Sequence, residues 1–284
     1  MSHDEYPVTF AVDGPVELSV RQTSGDLTVT AADTTDATVD LRASGPHADE
    51  LIAQTTVAYR SGTLKIETPK RLRGLDLGRS SVDIRVTVPN GSDVDAHSAS
   101  GDVETTGTVG ALATKTGSGD VATESCTEAR ARTGSGSVHV GRCASAVVHT
   151  GSGDVRIEQA ADSHVELDTG SGDITVGGTV SGGHVSCASG DLELGAVDGT
   201  VELKTASGEI TVARAVQGEI RATSTSGDIS VGVAEGTAAH LDASSVSGKV
   251  RSELDETDAP AASDRTLALS ARAVSGSVTV HRAH

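Results

Sequence analysis

Apolar and polar residues alternate at regular intervals after a recurring glycine. The glycine belongs to a repeated Ser-Gly-Asp tripeptide or a close variant of it, and in most repeats the second and fourth residues after it are apolar or threonine. Such alternation is typical of a β-strand with one buried face. The pairs are Val121 and Thr123, Val138 and Val140, Val155 and Ile157, Ile174 and Val176, Leu192 and Leu194, and Ile210 and Val212. The pattern predicts a short strand after each glycine.

A second alternating pair precedes the glycine by seven and five positions. Examples are Val165 and Leu167, Val201 and Leu203, Ile220 and Ala222, and Leu241 and Ala243. Each repeat is therefore predicted to contain at least two strands, separated from the next repeat by a turn in which glycine permits a positive φ.

The glycines recur with a period of about eighteen residues. They lie at positions 101, 119, 136, 153, 172, 190, 208, 227, 248 and 276. Two earlier glycines, Gly25 and Gly62, precede the next one by 37 and 39 residues, which we interpret as two repeats each. A single repeat cannot bury its own apolar face, so this period predicts coils that stack on one another.

The predicted fold is all-β: a single-domain parallel β-solenoid, or β-helix, of about 10 to 12 coils of roughly 18 residues, wound right-handed. Residues 96–284 form its regular part. Residues 1–95 are expected to be an irregular β start or cap, with strand-like runs at 16–20, 27–30, 57–59, 64–67 and 82–88. An acidic insertion at about 253–266 is expected to leave the ladder as a surface loop within the same continuous domain.

Charge narrows the classes of partner. Forty acidic residues against 22 basic ones give a net charge of −18, which argues against a nucleic-acid backbone as partner. The basic residues are 17 Arg and five Lys. This acid-rich, lysine-poor usage resembles proteins from organisms that keep molar salt in the cytoplasm, and an ordinary acidic protein is the alternative.

The number of cysteines and the lack of long apolar stretches indicate the cellular location to expect for the protein. Three cysteines are too few for a disulfide framework. The N-terminus has no basic region followed by an apolar run, and no stretch approaches eighteen consecutive apolar residues. We therefore expect no membrane span and a cytoplasmic location.

The run VTVPNGSDVDAHSASGDVETTGTVG at 86–110, followed by reiterated TGSGDV units, resembles the putative-adhesin family of bacterial and archaeal β-solenoid repeat domains of unknown function. The resemblance extends from about Phe10 to the end of the chain. It implies a β-solenoid, and members of such families are often attached to membranes or displayed outside cells.

An acidic residue follows most of the repeat glycines and forms the first candidate site. The column comprises Asp102, Asp120, Asp154, Asp173, Asp191, Glu209 and Asp228. Neighbouring carboxylates about 4.8 Å apart would repel by roughly 1 kcal/mol in water. Either each acid accepts hydrogen bonds within its own turn and salt screens the charges, or the column binds Ca²⁺ or Mg²⁺. No other cofactor is expected.

Three further groups were considered as sites. A column of His97, Lys115, Arg132 and His149 could bind an anion or could be a solvated face. Cys126 and Cys143 are expected to be small core residues on neighbouring coils. A Zn²⁺ site of His139, His149 and Cys143 is conceivable, although no close pair of ligands supports it.

No set of residues predicts catalysis. After Tyr59 the chain has no aromatic residue to stack on a sugar, and its carboxylates form a repeat and not a pair. We therefore expect a non-enzymatic, adhesin-like module that interacts with an unidentified protein or surface partner, as a monomer. A self-assembling scaffold resembling the bactofilins is the alternative, and a carbohydrate-active β-helix enzyme is a third.

Overall fold

The computed structural model describes residues 6–69, 80–254 and 265–283. The chain divides into two compact units, Met1–Gly141 and Arg142–His284. In the described part, a single short helix accompanies twenty strands. The predicted all-β class is confirmed.

Unit 1 combines parallel and antiparallel strands. Its elements are β1 Val8–Ala11, β2 Glu17–Ser24, β3 Leu27–Ala32, β4 Asp36–Ser44, α1 Ala48–Gln54, β5 Thr56–Arg60, β6 Thr63–Glu67, β7 Ser81–Pro89, β8 Asp93–Ser100, β9 Val103–Ser118 and β10 Val121–Ser135. The strand β11 Val138–Ser152 contains the boundary with unit 2. The five strand-like runs predicted before residue 95 correspond to β2, β3, β5, β6 and β7. β1, β4 and α1 were not predicted.

Two parallel ladders build the core of unit 1. Strand β2 lies between β6 and β8, and β3 lies between β7 and β9. The long strand β9 also pairs with β8 and β10. Inward-facing residues at equivalent positions form columns that water does not reach. In one column Leu64, Leu18, Val94, Leu112 and Ala129 are at most 2% exposed.

Antiparallel strands complete this unit. Strand β4 pairs with β1 on one side and β7 on the other, and β5 forms a hairpin with β6. Ser61 and Gly62 have positive φ in that hairpin. Gly62 is thus a hairpin residue, and its interpretation as a repeat glycine was wrong. Gly25 is adjacent to Gly101 in space although 76 residues separate them, because the intervening chain leaves the parallel ladder and returns.

Unit 2 is a stack of parallel strands. Its elements after β11 are β12 Val155–Ser171, β13 Ile174–Ser189, β14 Leu192–Ser207, β15 Ile210–Ser226, β16 Ile229–Val233, β17 Thr237–Ser247, β18 Val250–Ser252, β19 Arg265–Ser275 and β20 Val278–Arg282. Corresponding residues of β12 to β15 pair in parallel. A buried column runs through Ile174, Leu192, Ile210, Ile229 and Val278, each at most 1% exposed.

The last strands do not stack in chain order. Strands β19 and β20 pair with β15 and β16, whereas β17 and β18 lie beyond them and pair with β19 and β20. We had expected the repeat of Gly248 to precede that of Gly276. The insertion between them falls largely on residues 255–264, which lie outside the described residues.

Burial explains the exchange of order. Leu267 and Val280 occupy the positions at which β17 and β18 carry Ala239 and Ser252. Each large aliphatic side chain contributes about 1.5 to 3 kcal/mol when buried. Placing β19 and β20 inside therefore buries two more such side chains, while Val250 of the outer strand stays 48% exposed.

The repeated turns require glycine because successive turns touch. Gly119 has a φ of +141°, and a Cβ there would lie 2.2 Å from the carbonyl oxygen of Gly101. Gly190 has a φ of +143°, and its Cβ would lie 2.1 Å from the carbonyl oxygen of Gly172. Both contacts are with backbone, which cannot rotate away.

All three cysteines are buried. Cys126 and Cys143 are 5% and 1% exposed, as expected for small core residues. Burial raises the pKa of the Cys143 thiol from 9.0 to about 11. The folded state thus favours the neutral thiol, and stability falls as pH rises from 9 towards 11, where the unfolded chain ionises first.

We predict that Gly119→Ala is much more destabilising than Gly62→Ala. Gly62 also has a positive φ, +84°, but an added Cβ would meet nothing within 4 Å. Backbone strain alone costs about 1 kcal/mol at Gly62, whereas clash and strain together cost about 3 kcal/mol or more at Gly119. Urea unfolding followed by circular dichroism measures both. An equal loss of unfolding free energy in the two variants would show that the close contact between turns does not restrict the residue at position 119.

We also predict that Cys143 resists thiol reagents at pH 8 in the folded protein. A thiol whose pKa is raised by two units has about 100-fold less thiolate, and burial further blocks access. Mass spectrometry of labelled peptides measures the modification, with the urea-unfolded chain as the matched control. Labelling of the native chain at the unfolded rate would contradict the assigned burial.

Candidate functional site

The acids that follow the repeat glycines bridge successive turns. We call them the corner acids: Asp102, Asp120, Asp154, Asp173, Asp191, Glu209 and Asp228. In unit 1 the Oδ1 atom of Asp102 accepts a hydrogen bond from the backbone N–H of Asp120 at 2.8 Å. In unit 2 the Oδ1 atom of Asp173 accepts one from the N–H of Asp191, also at 2.8 Å. The same bond recurs from Asp173 to Asp154, from Glu209 to Asp191 and from Ser277 to Asp228.

This geometry differs from the expected one. The sequence predicts that each acid accepts a hydrogen bond from an amide of its own turn. In the structure the donor is the amide at the same position of the neighbouring turn. Because each aspartate among the corner acids accepts from a backbone N–H, the hydrogen bonds oppose the repulsion between stacked charges. In the described chain, Glu209 departs from the series, since no hydrogen bond joins its carboxylate to the amide of Asp228.

Two further aspartates belong to this series of hydrogen-bonded turns but were not predicted from the sequence. Asp26 accepts from the N–H of Asp102 at 3.0 Å, and Asp83 accepts from the N–H of Asp26 at 3.1 Å. Asp26 carries the same Ser-Gly-Asp signal as the others, and only the assumption of a missing coil after Gly25 hid it. Asp83 lies in an alternating strand without a repeat glycine, so no signal pointed to it.

A row of basic residues crosses four neighbouring strands of unit 1. We call it the basic column: Arg21, His97, Lys115 and Arg132. Backbone pairing aligns Arg21 with His97, His97 with Lys115, and Lys115 with Arg132. Three of these had been predicted as a column, and the structure adds Arg21 through the return of the chain to β2. The predicted fourth member, His149, belongs to unit 2.

Three of the four side chains in the basic column lack an ion-pair partner among the described residues. His97 Nε2 lies 3.3 Å from Asp95 Oδ1. Within the described residues, Arg21, Lys115 and Arg132 form no ion pair. All three are exposed. Backbone pairing of β2 with β6 also places the acidic Glu67 opposite Arg21. The basic column is therefore a row of four basic residues with one acid at its β6 end, in a chain whose net charge is −18.

A groove of about 460 Å³ lies along the basic column. Arg21, His97 and Lys115 line one part of it, and the small residues Ala99 and Gly117 line another. Buried Gln22 also lines it, and the Oε1 atom of this amide has no hydrogen-bond partner. The groove thus combines cationic side chains with a buried polar group that is not fully satisfied.

The proposed zinc ligands do not share one site. Cys143 is buried in the core of unit 2, whereas His149 is half-exposed. The structure instead places His149 beside Glu166 and Asp168. The third residue, His139, lies in unit 1 and is half-exposed. Ca²⁺ or Mg²⁺ binding by the corner acids stays a prediction, and each bonded Asp in that ladder already uses one carboxylate oxygen for an amide.

We predict that Asp173→Ala destabilises the protein by about 1 kcal/mol and that Asp173→Asn changes stability by less than about 0.5 kcal/mol. Alanine removes the acceptor of the Asp191 amide, whereas asparagine keeps a carbonyl oxygen and removes a repelling charge. Urea unfolding in low and molar NaCl measures both variants. An Asn variant as unstable as the Ala variant would mean that the charge, and not the acceptor, stabilises the turn.

Three similar solved structures come from Parabacteroides and Bacteroides species. A putative adhesin from Parabacteroides merdae has 10% sequence identity and a TM-score of 0.46, and the alignment covers 96% of this chain and 95% of that one. A putative lipid binding protein from Parabacteroides distasonis has 16% identity and a TM-score of 0.42 over 99% and 98%. A putative adhesin from Bacteroides fragilis has 15% identity and a TM-score of 0.37 over 97% of each chain. All three TM-scores lie below 0.5.

No curated protein matches the sequence. In the described chain, no helix is long and apolar enough to cross a membrane. A family model, Toastrack DUF4097, matches residues 15–107 and 105–284. These two segments span nearly all of the sequence and both of its repeat-bearing parts, and the resemblance seen in the repeats is thereby confirmed: the chain belongs to the Toastrack DUF4097 family.

Proposed function

We propose that the chain is a non-enzymatic interaction module that binds an acidic segment of a partner protein along the basic column of unit 1. The observation that carries this proposal is the alignment of Arg21, His97, Lys115 and Arg132 on adjacent strands. Within the described residues, three of them form no ion pair. Like charges held about 4.8 Å apart oppose folding, so such a row has a cost that an anionic ligand removes.

The chemistry of the groove favours an acidic peptide over other anionic polymers. The net charge of −18 opposes the approach of any polyanion, and a short acidic peptide brings far fewer negative charges into this field than a nucleic acid does. The residues that line the groove include no Phe, Tyr or Trp side chain on which a sugar could stack. Carboxylates of an extended peptide require hydrogen-bond donors, and the cationic side chains of Arg21 and Lys115 supply these.

The test is fluorescence anisotropy of a labelled glutamate-rich peptide titrated with the full chain at low salt. We expect saturable binding that weakens as salt is added, and at least a tenfold loss of affinity in the double variant Arg21→Gln, Lys115→Gln. A lysine-rich peptide of equal length is the ligand control.

Arg60→Gln is the matched protein control. Arg60 is exposed in unit 1 and does not line the groove, so its loss changes the net charge equally but leaves the basic column intact. Equal losses in Arg60→Gln and in the single variant Lys115→Gln would reduce the effect to net charge and overturn the proposal. Tight binding of a sulfated polysaccharide without binding of the peptide would also overturn it.

The finer features of the fold belong to the same proposal. We infer right-handed coils of about 18 residues, supported by hydrogen bonds between corner acids and amides 17 to 19 positions away. An experimental structure tests the handedness of the coils.

The cytoplasmic location stays a prediction, which cell fractionation tests. Lys249 directly precedes the exposed strand β18 and Arg251 lies within it, and such edge charges disfavour end-to-end assembly of a scaffold.

A further inference from the structure

A mixed cluster of one histidine and two carboxylates lies on the outer face of unit 2. We call it the His149 cluster: His149, Glu166 and Asp168. One ligand atom from each residue lies within 4.8 Å of the others. His149 Nδ1 is 3.0 Å from Asp168 Oδ2. Glu166 and Asp168 are two residues apart on β12, so they project from the same face of the strand.

The cluster does not contribute to the core. Between and beside its members, Val148, Val165 and Leu167 point inward and are fully buried. The side chains of His149 and Asp168 are 32% and 37% exposed. An ion can therefore reach the cluster from solvent, while its ligands remain partly shielded from water.

Neighbouring residues hold the ligands in position. The hydroxyl of Ser186 donates a hydrogen bond to Asp168 Oδ1, which leaves the other carboxylate oxygen towards His149. On the next strand His184 is paired with Glu166, and its Nδ1 lies 3.2 Å from Glu202 Oε2. Lys204 lowers the pKa of Glu202, so this carboxylate stays ionised and keeps His184 oriented. The bond from Ser186 is the kind of outer contact that orients a metal ligand, and the pair of His184 and Glu202 lies on the neighbouring strands.

The donor set selects the kind of ion. Imidazole nitrogen with two carboxylates suits Zn²⁺ and other transition ions, whereas Ca²⁺ and Mg²⁺ prefer oxygen ligands alone. Three protein ligands leave a fourth position open for water or for a group from a partner. The cluster thus differs in chemistry from the corner acids, which offer only carboxylates and backbone.

We propose that His149, Glu166 and Asp168 bind one divalent transition-metal ion, with Zn²⁺ as the expected occupant. The ion takes the place of the proton that joins His149 to Asp168. This site is independent of the basic column, which lies in unit 1.

The test is isothermal titration of the tag-free, full chain with ZnCl₂, and with CaCl₂ and MgCl₂ in separate runs. We expect one Zn²⁺ per chain with micromolar affinity, and no comparable binding of Ca²⁺ or Mg²⁺. His149→Gln and Glu166→Gln should each weaken Zn²⁺ binding at least tenfold. Because these side chains lie outside the core, both variants should keep the thermal midpoint of the metal-free protein.

Two matched controls exclude adventitious binding. His240→Gln and Glu193→Gln remove an exposed histidine and an exposed carboxylate of unit 2 outside the cluster and should leave the affinity unchanged. Co²⁺ substitution gives a second readout: only nitrogen and oxygen ligands are expected, without the charge-transfer absorption of a thiolate. Unchanged affinity in His149→Gln, a thiolate signal, or absence of saturable Zn²⁺ binding would overturn the proposal.

Discussion

Contact between stacked glycine turns is the constraint on which the rest of the structure depends. Each turn lies so close to its neighbour that a Cβ atom at Gly119 or Gly190 would overlap a carbonyl oxygen. The same approach lets the glycine amide reach the serine carbonyl of the adjoining turn, as from Gly101 to Ser118 at 3.1 Å. It also brings the next amide to the preceding aspartate. A larger side chain at these glycines would force apart both sets of bonds, so the tripeptide repeats because three separate contacts need it.

Fixed turns make the inward columns uniform and leave the outward ones free to differ. Inward positions such as Leu192 and Ile210 must fill the same space in every repeat, so only aliphatic size varies. Outward positions face water, and their identity has little effect on packing. The position four residues before the glycine is Lys115 in unit 1 and Asp168 in unit 2. Residues that can bind a ligand therefore lie in the outward columns of this fold, whereas a buried residue such as Cys143 packs in the core.

The sequence predicts which residues share a column but not always which repeats are neighbours. Alternation and the glycine period were sufficient for the parallel strands, their inward faces and the corner acids. They could not place Asp26 against Asp102, because the 75 residues between them include antiparallel strands that leave the ladder. Nor could they reveal that β19 lies inside β17, because that order follows from a comparison of total burial. The repeat period depends only on nearby residues in the sequence. Which strands become neighbours after the chain leaves the ladder and returns depends on how the whole core packs.

The same limit explains why both candidate binding groups were incomplete from sequence. Arg21 joins the basic column only because β2 pairs with β8 across a long excursion, and its motif alone does not distinguish it from a solvated arginine. His149 was considered with Cys143 because both are metal-binding residue types on one repeat. Burial separates them, since Cys143 is 1% exposed and His149 faces outward. Total charge misleads similarly: a value of −18 averages over the surface, while binding depends on the few charges that lie within a screening length of one another. A strongly acidic chain can therefore present a cationic groove, and only the pairing of strands shows where it lies.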